Sequence, residues 1–273
     1  MRAFCRPRAL CCGNVPRKAR KAMLRRLGCG LSAGLVLAAA CPAQELVLRT
    51  VQQASSVVKY DPDGVPQRAG LCMDVLRAVE RADPGLRFTG LEQVIPLRRV
   101  ERLLADSQID VFFCLLRSPE RERQWRYVPV PLYPVRHVIA QRVDDVRGVD
   151  SLLELATMSQ VKPVLVTRGS VLARKLETVG VNLAEVSSER EALQMLVLGR
   201  TDAIYGQDIN LARHIRDARL GDKVRLGRTV FQEDAQFLAV RHDLPAAVVE
   251  RLTEALRRLE REGVLRLLSE RYR

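Results

Sequence analysis

The amino-acid sequence predicts an α/β protein built from mainly parallel sheets flanked by helices. Short apolar runs typical of buried strands alternate along the chain with amphipathic patterns typical of helices. This alternation is the order expected of strand–helix–strand units. About 230 residues follow an N-terminal leader, and this length is sufficient for two lobes of ordinary size.

The first half of this region contains two predicted units. Leu46 to Val51 is a candidate first strand. Apolar residues at helical spacing from Leu71 to Ala82 predict a helix that ends at Asp83-Pro-Gly85. A second amphipathic helix, Leu97 to Ala105, leads into a short buried strand, Ile109 to Phe113.

The second half repeats this order. Lys162 to Thr167 is a predicted strand, and the helix Val171 to Thr178 follows it. A helix from Glu191, a turn at Gly199 and another strand come next. The tail is predicted to be helical, with an interruption at Gly263.

The segment after the strand at Ile109 carries the most informative motif. Ser118 is a suitable N-cap and Pro119 is suited to the first helical position, so a helix is predicted to begin there. Arg121 falls in the first turn, where the helix dipole disfavours a cation. An arginine beside free helix amides can bind a carboxylate or phosphate. The alternative is a surface arginine paired with a nearby acid.

This segment, Asp110-Val-Phe-Phe-Cys-Leu-Leu-Arg-Ser-Pro-Glu-Arg-Glu122 after a leucine-rich helix, resembles the signature of the family 3 extracellular solute-binding proteins. These proteins are periplasmic receptors of amino-acid-type ABC importers. Three further segments resemble the family in the same order and spacing: Val166 to Ser170, Gly199 to Asp208, and Arg241 to Tyr272.

The resemblance implies a two-lobed periplasmic-binding-protein type II fold, in which each lobe is a mainly parallel sheet flanked by helices. Lobe 1 is expected to comprise residues 44–138 plus 236–273, and lobe 2 residues 139–235. Two extended runs, Val135 to Val143 and Thr229 to Val240, are the expected hinge crossings.

The resemblance also implies ligand-binding residues. The family clamps a ligand carboxylate with the arginine that matches Arg121, beside Ser118, and Arg117 next to it would favour an anionic ligand. The amides and hydroxyl at Gly169 and Ser170 are expected to reach the same carboxylate from the other lobe. The alternative for Ser170 is a plain helix N-cap.

Two departures from the family pattern concern the amino group and the side chain of a ligand. The family aspartate that receives an ammonium group aligns with Gln207, and the acid comes one residue later, at Asp208. Either Asp208 takes this role or the ligand lacks an α-ammonium; Asp208 is equally suited to capping the next helix. The aromatic residue that the family packs on its ligand is missing, although Tyr60 lies nearby.

The N-terminus predicts export. Residues 1–43 contain a basic region, an apolar run of about a dozen residues and a small-residue end, which is typical of a signal peptide. The run is shorter than the ~20 residues of a membrane span. Met23 is an alternative start, and lipid attachment at Cys41 is an alternative to cleavage after Ala43. The expected location is the periplasm.

Charge and cysteine content limit the function classes. Nine of the 45 Lys and Arg residues precede Ala43, so 36 remain against 32 acidic residues, a net charge of +4. This balance argues against a nucleic-acid partner.

Cys72 and Cys114 remain after the leader. A disulfide between them is one option in an oxidising compartment, but we favour buried thiols.

The leading hypothesis is a non-enzymatic receptor that captures a small carboxylate-bearing ligand, an amino acid or related organic acid, for the permease of an ABC importer. We expect a monomer without cofactor, metal or catalytic residue, since the histidines follow no metal spacing and no nucleophile motif occurs. Two alternatives are a periplasmic enzyme on the same fold, similar to a cyclic-carboxylate dehydratase, and a ligand-sensing partner of a membrane sensor kinase.

Overall fold

The structure is a computed structural model that describes residues 45–54, 56–61 and 69–273. The predicted signal peptide, with Met23 and Cys41, lies outside the described residues.

The strands are β1 (Leu46–Arg49), β2 (Gln52–Gln53), β3 (Leu86–Thr89), β4 (Val94–Ile95), β5 (Val111–Leu116), β6 (Trp125–Tyr127), β7 (Tyr133–Arg142), β8 (Val164–Thr167), β9 (Leu183–Val186), β10 (Ile204–Gln207), β11 (Val224–Leu226) and β12 (Gln232–Arg241). The helices are α1 (Leu71–Ala82), α2 (Leu97–Ala105), α3 (Pro119–Glu122), α4 (Leu152–Ser159), α5 (Val171–Thr178), α6 (Glu189–Val197), α7 (Asp208–Asp217), α8 (Ala246–Arg261) and α9 (Val264–Arg271).

Two long strands organise the sheets. The largest sheet has the order β5-β12-β7-β10-β8-β9, with β6 on β12 and β11 on β7. Among the described residues, every antiparallel pair includes β7 or β12, and the pairs β1–β3, β2–β4, β8–β9 and β8–β10 are parallel. The strands β7 and β12 lie where the sequence places the two crossings, and they pair with each other from His137–Gln232 to Tyr133–Gln236.

The strongly periodic helices form where predicted. The observed bounds of α1, α2 and α5 equal the predicted ones, because each carries an apolar stripe that packs inward. Full burial of each large side chain on such a stripe contributes about 1.5–3 kcal/mol. In the described ranges, no helix is long and apolar enough to cross a membrane.

The expectation of buried thiols at Cys72 and Cys114 is wrong. The two sulfur atoms are bonded at 2.09 Å, and the Cα atoms are 6.0 Å apart. The first turn of α1 lies against β5, so the two buried cysteines meet at a Cα separation that is usual for a disulfide. Cys114 has a φ of 64°, uncommon for a residue other than glycine, and the register of β5 on β12 shifts beside it.

Candidate functional site

A cavity lies where four strands end. Leu116, Thr167 and Gln207 are the last residues of β5, β8 and β10, Ser187 follows β9, and all four line the cavity. Ligands in α/β proteins bind at such carboxyl edges. The cavity has a volume of about 320 Å³ and is lined by Gln53, Ala54, Ser56, Lys59, Pro96, Leu97, Arg98, Leu115, Leu116, Arg121, Thr167, Arg168, Ser170, Val171, Leu172, Ser187, Glu189, Tyr205, Gly206, Gln207 and Asn210.

Five buried polar atoms on this lining have no hydrogen-bond partner within the described protein. They are Gln53 Oε1, Ser56 Oγ, Ser170 Oγ, Tyr205 Oη and Asn210 Oδ1. A buried polar atom without a partner costs about 1–3 kcal/mol, so native structures pair nearly all of them. These five atoms leave unmet hydrogen-bonding capacity around the cavity, and seven further atoms of this kind lie elsewhere in the described protein.

Lys59 is a cation at this cavity that sequence reasoning did not single out. Its Nζ donates to the carbonyl oxygen of Cys114 at 3.0 Å and to Gln236 Oε1 at 3.5 Å. Gln236 in turn donates to Gln207 Oε1 at 3.1 Å. Burial and the charge of Arg121 lower the pKa of Lys59 to about 7, against the opposing effect of Glu189.

Arg121 also lines the cavity, but its charge is balanced by a protein carboxylate. Its Nε donates to Glu101 Oε1 at 2.9 Å, its Nη2 bonds the same oxygen, and its Nη1 donates to the carbonyl oxygen of Leu116 at 2.8 Å. The guanidinium retains N–H groups beyond these three bonds. Ser118 lies outside the cavity, where its Oγ caps α3 by accepting from the amide of Arg121 at 3.3 Å.

Arg117 and Tyr60 lie away from the cavity lining. The guanidinium of Arg117 stacks on Tyr127 and Phe237, 5.5 and 5.3 Å from the ring centroids, and pairs with Glu122. The hydroxyl of Tyr60 donates to the carbonyl oxygen of Phe113 at 2.9 Å beneath β5. Both side chains are therefore engaged by the protein itself.

The two residues at the turn before α5 have different surroundings. Ser170 is the residue before α5, but its hydroxyl makes no capping bond and lines the cavity. Gly169 has a φ of 75°, and its amide donates to Glu185 Oε1 at 3.2 Å. Of this pair, Ser170 alone is on the cavity lining.

Gln207 and Asp208 likewise differ in their position relative to the cavity. Gln207 lines the cavity, whereas Asp208 Oδ2 accepts from Arg136 Nε at 2.9 Å and from Arg273 Nη1 at 3.2 Å outside it. Burial alone would raise the pKa of Asp208, but the hydrogen bonds from the backbone and side chain of Arg136 lower it. Asp208 thus has its cationic partners within the chain.

Glu189 is the acidic group on the cavity lining, and sequence reasoning missed it. It lies in the first turn of α6, capped by Ser188, and is buried. Its Oε2 is 3.7 Å from Nε2 of His214. Burial lowers the pKa of His214 in spite of this carboxylate, which favours a neutral imidazole at neutral pH. In the sequence, this position is marked only by Ser187-Ser188-Glu189, a pattern typical of the start of a helix.

Comparisons with known proteins establish the fold. No family model and no curated protein matches the sequence. An ancestral arginine-binding protein bound to arginine is 20% identical with a TM-score of 0.68, covering 83% of this chain and 97% of that one. A histidine kinase sensor domain with similarity to periplasmic binding proteins is 20% identical with a TM-score of 0.71, covering 84% and 96%.

A third similar structure is an ancestral amino-acid-binding protein, a precursor of cyclohexadienyl dehydratase. It is 17% identical with a TM-score of 0.67 and covers 83% of this chain and 95% of that one. The predicted fold class is confirmed: the chain has the two-lobed periplasmic-binding-protein type II fold.

Proposed function

We propose that this chain is a non-enzymatic receptor of the family 3 solute-binding type, which binds a small carboxylate-bearing molecule in the described cavity. The observation that carries the proposal is the set of five unpartnered polar atoms around a cavity of about 320 Å³ that also holds buried cationic side chains. This volume is in the range of small-molecule sites, about 300–1,000 Å³. An amino acid or a related organic acid fits that description.

The charges on the lining suggest how such a molecule lies. Lys59 and the remaining N–H groups of Arg121, whose charge Glu101 balances, form a donor side that suits a carboxylate. Glu189 and the acceptor Asn210 Oδ1 form another side that suits an ammonium group or another donor. In this proposal Glu189, and not Asp208, receives the ligand's amino group.

The lining also supports closure around the ligand. Lys59 and Arg121 belong to proposed lobe 1 (44–138 plus 236–273), whereas Ser170, Glu189 and Asn210 belong to proposed lobe 2 (139–235). A ligand that contacts both sets stabilises the closed form over the open one. In the proposed role, the exported protein then delivers its ligand as a monomer to the permease of an ABC importer.

The test is thermal unfolding of the protein with the common L-amino acids, succinate, glutarate, cyclohexanecarboxylate and spermidine. At about 100-fold over its dissociation constant, a ligand adds about 2.7 kcal/mol to the free energy of unfolding, which raises the Tm by several degrees. Ser170→Phe, which places a large side chain in the cavity, abolishes this rise, and Arg117→Met, outside the cavity, leaves it unchanged. The proposal fails if no carboxylate raises the Tm, or if Ser170→Phe responds like the wild type.

The same compounds separate the alternative functions. Conversion of a bound cyclic carboxylate into product, followed by mass spectrometry, would identify an enzyme. Ligand-dependent uptake in cells that is lost on deletion of the gene supports the importer role. Unchanged uptake with a lost transcriptional response supports a sensory partner.

A further inference from the structure

Lys59 is a buried cation without a carboxylate partner among the described residues. The residue is 6% exposed, and no described carboxylate oxygen lies within 4.0 Å of its Nζ. The acceptors it does have are neutral: the Cys114 carbonyl and the Gln236 amide. A buried charge is costly unless a counterion compensates it.

Arg121, the other buried cation at the cavity, differs from Lys59 in having a counterion. Both cations line the same cavity and both are buried, but Glu101 accepts two bonds from Arg121 and balances its charge. Of these two cations, Lys59 is the one that lacks a counterion among the described residues. An anionic group on a bound molecule would supply that counterion.

The elements around Lys59 contribute few charges. Arg121 on α3 repels it, and Glu189 on α6 attracts it from beyond the range of an ion pair. Glu101 on α2 is committed to Arg121, and His214 on α7 faces Glu189. The strands β5, β12 and β10 present the Cys114 carbonyl and the Gln236 and Gln207 amides, which are neutral.

We propose that Lys59 forms the ion pair with the ligand's carboxylate, and that binding adds a proton from the solvent to this lysine. This inference rests on the proposed function and identifies the residue that selects for an acid. The third N–H of the ammonium, which neither Cys114 nor Gln236 accepts, is the donor available to the carboxylate. Arg121 and Glu101 then act as a neutral pair beside it.

The pKa of about 7 that Lys59 has without a ligand determines how ligand affinity and proton uptake depend on pH. At pH 7 about half of the molecules carry the ammonium, so binding of a carboxylate takes up about half a proton per site. Above about pH 8 nearly every molecule must gain a proton, and the dissociation constant rises about tenfold per pH unit. Below about pH 6 proton uptake vanishes and affinity becomes independent of pH.

The experiment is isothermal titration calorimetry with the named carboxylates and amino acids as probes, at pH 6, 7 and 8.5, each in two buffers that differ in ionisation enthalpy and have a pKa near that pH. The buffer dependence of the heat gives the protons taken up. Lys59→Met keeps an unbranched side chain as far as the ε position and removes the charged Nζ, and Arg117→Met is the matched control. We expect at least a tenfold loss of affinity and loss of proton uptake in Lys59→Met, with neither change in Arg117→Met.

Each outcome decides the inference. Binding by the wild type that Lys59→Met retains at full affinity, or binding without proton uptake at pH 8.5, overturns the role of Lys59 and leaves the proposed function intact. Absence of binding by the wild type to every probe overturns the proposed function together with this inference. The proton count on the wild type tests the role of Lys59 even if Lys59→Met does not fold.

Discussion

The ammonium of Lys59 donates a 3.0 Å hydrogen bond to the carbonyl oxygen of Cys114, the residue whose sulfur is bonded to Cys72. The cavity lysine is therefore held by the backbone at a disulfide. Cys114 has a positive φ at a register shift between β5 and β12, and the carbonyl that meets Lys59 belongs to this irregular point of the strand. The covalent link from α1 thus fixes the part of β5 that positions a charged group of the site.

The disulfide is predicted to contribute strongly to stability. It closes a loop over a sequence separation of 42 residues, so Cys72→Ser with Cys114→Ser lowers the free energy of unfolding by about 2–4 kcal/mol. Urea unfolding of the double variant and of the wild type, with and without dithiothreitol, measures this loss. Equal stability of the oxidised and reduced wild type would contradict the prediction.

The pH dependence of stability is predicted to report the buried lysine. The pKa of Lys59 falls from 10.5, the value for an unperturbed lysine, to about 7 in the folded protein. Between these values the unfolded chain binds more protons, so stability rises with pH. From pH 7 to 9.5 the free energy of unfolding of the ligand-free wild type is expected to rise by about 2–3 kcal/mol.

The control is Lys59→Met, whose stability is expected to change little over this window. Other groups with shifted pKa act mainly at the edges of this window and are shared by both proteins: burial lowers the pKa of His137 and His214 below 6.5, and raises that of every tyrosine in the described residues. Urea unfolding at half-unit pH steps provides the comparison. Parallel curves for the two proteins would show that Lys59 is fully charged when folded.

Arg121 and Arg117 are predicted to differ in their effect on folding. Arg121→Met removes the buried partner of a partly buried ion pair and leaves Glu101 uncompensated, so the expected loss is about 2–3 kcal/mol. Arg117→Met removes a half-exposed pair with Glu122 and a contact with two rings, for a loss of about 0–1 kcal/mol. Denaturant midpoints at pH 7 measure both, and losses of equal size would be inconsistent with the structure.

Asp208 is predicted to stabilise the fold without affecting ligand binding. Asp208→Asn loses the charge that Arg136 and Arg273 share, at a cost of about 1–3 kcal/mol. Because the folded pKa of Asp208 is lowered, the wild type holds this advantage above about pH 5 and loses it as the pH falls through the folded value. Urea unfolding at pH 3 and pH 7 tests the sign, and a change in ligand affinity would argue for a direct role.

Helix caps and the spacing of apolar residues were sufficient to predict much of the fold. Ser118 and Pro119 predicted where α3 begins, and the apolar stripes of α1, α2 and α5 predicted their bounds. The strands β2, β3, β4, β6, β9 and β11 were not predicted, because strands of two to four residues carry too few periods to stand out. The helix α4 was not predicted, because its apolar residues form no clear stripe. The helix α3 ends after four residues, where tertiary packing and not pattern decides.

The candidate site was predictable only in part. Arg121, Ser170 and Gln207 lie on the cavity lining, each at a motif that the sequence displays. Lys59 and Glu189 were missed because their importance comes from burial and from neighbours distant in sequence, such as Cys114 for Lys59. The disulfide was mispredicted for the same reason, since the approach of α1 to β5 is a property of the packed molecule.

Whether the cavity binds a carboxylate is best tested by calorimetric titration of the wild type and of Ser170→Phe with the named amino acids and carboxylates at pH 7. We expect at least one carboxylate to bind the wild type at a single site. Ser170→Phe, folded to the same far-UV circular dichroism spectrum, is expected to bind none. Binding of equal affinity by both proteins, or of spermidine in preference to every carboxylate, would contradict the proposed receptor function.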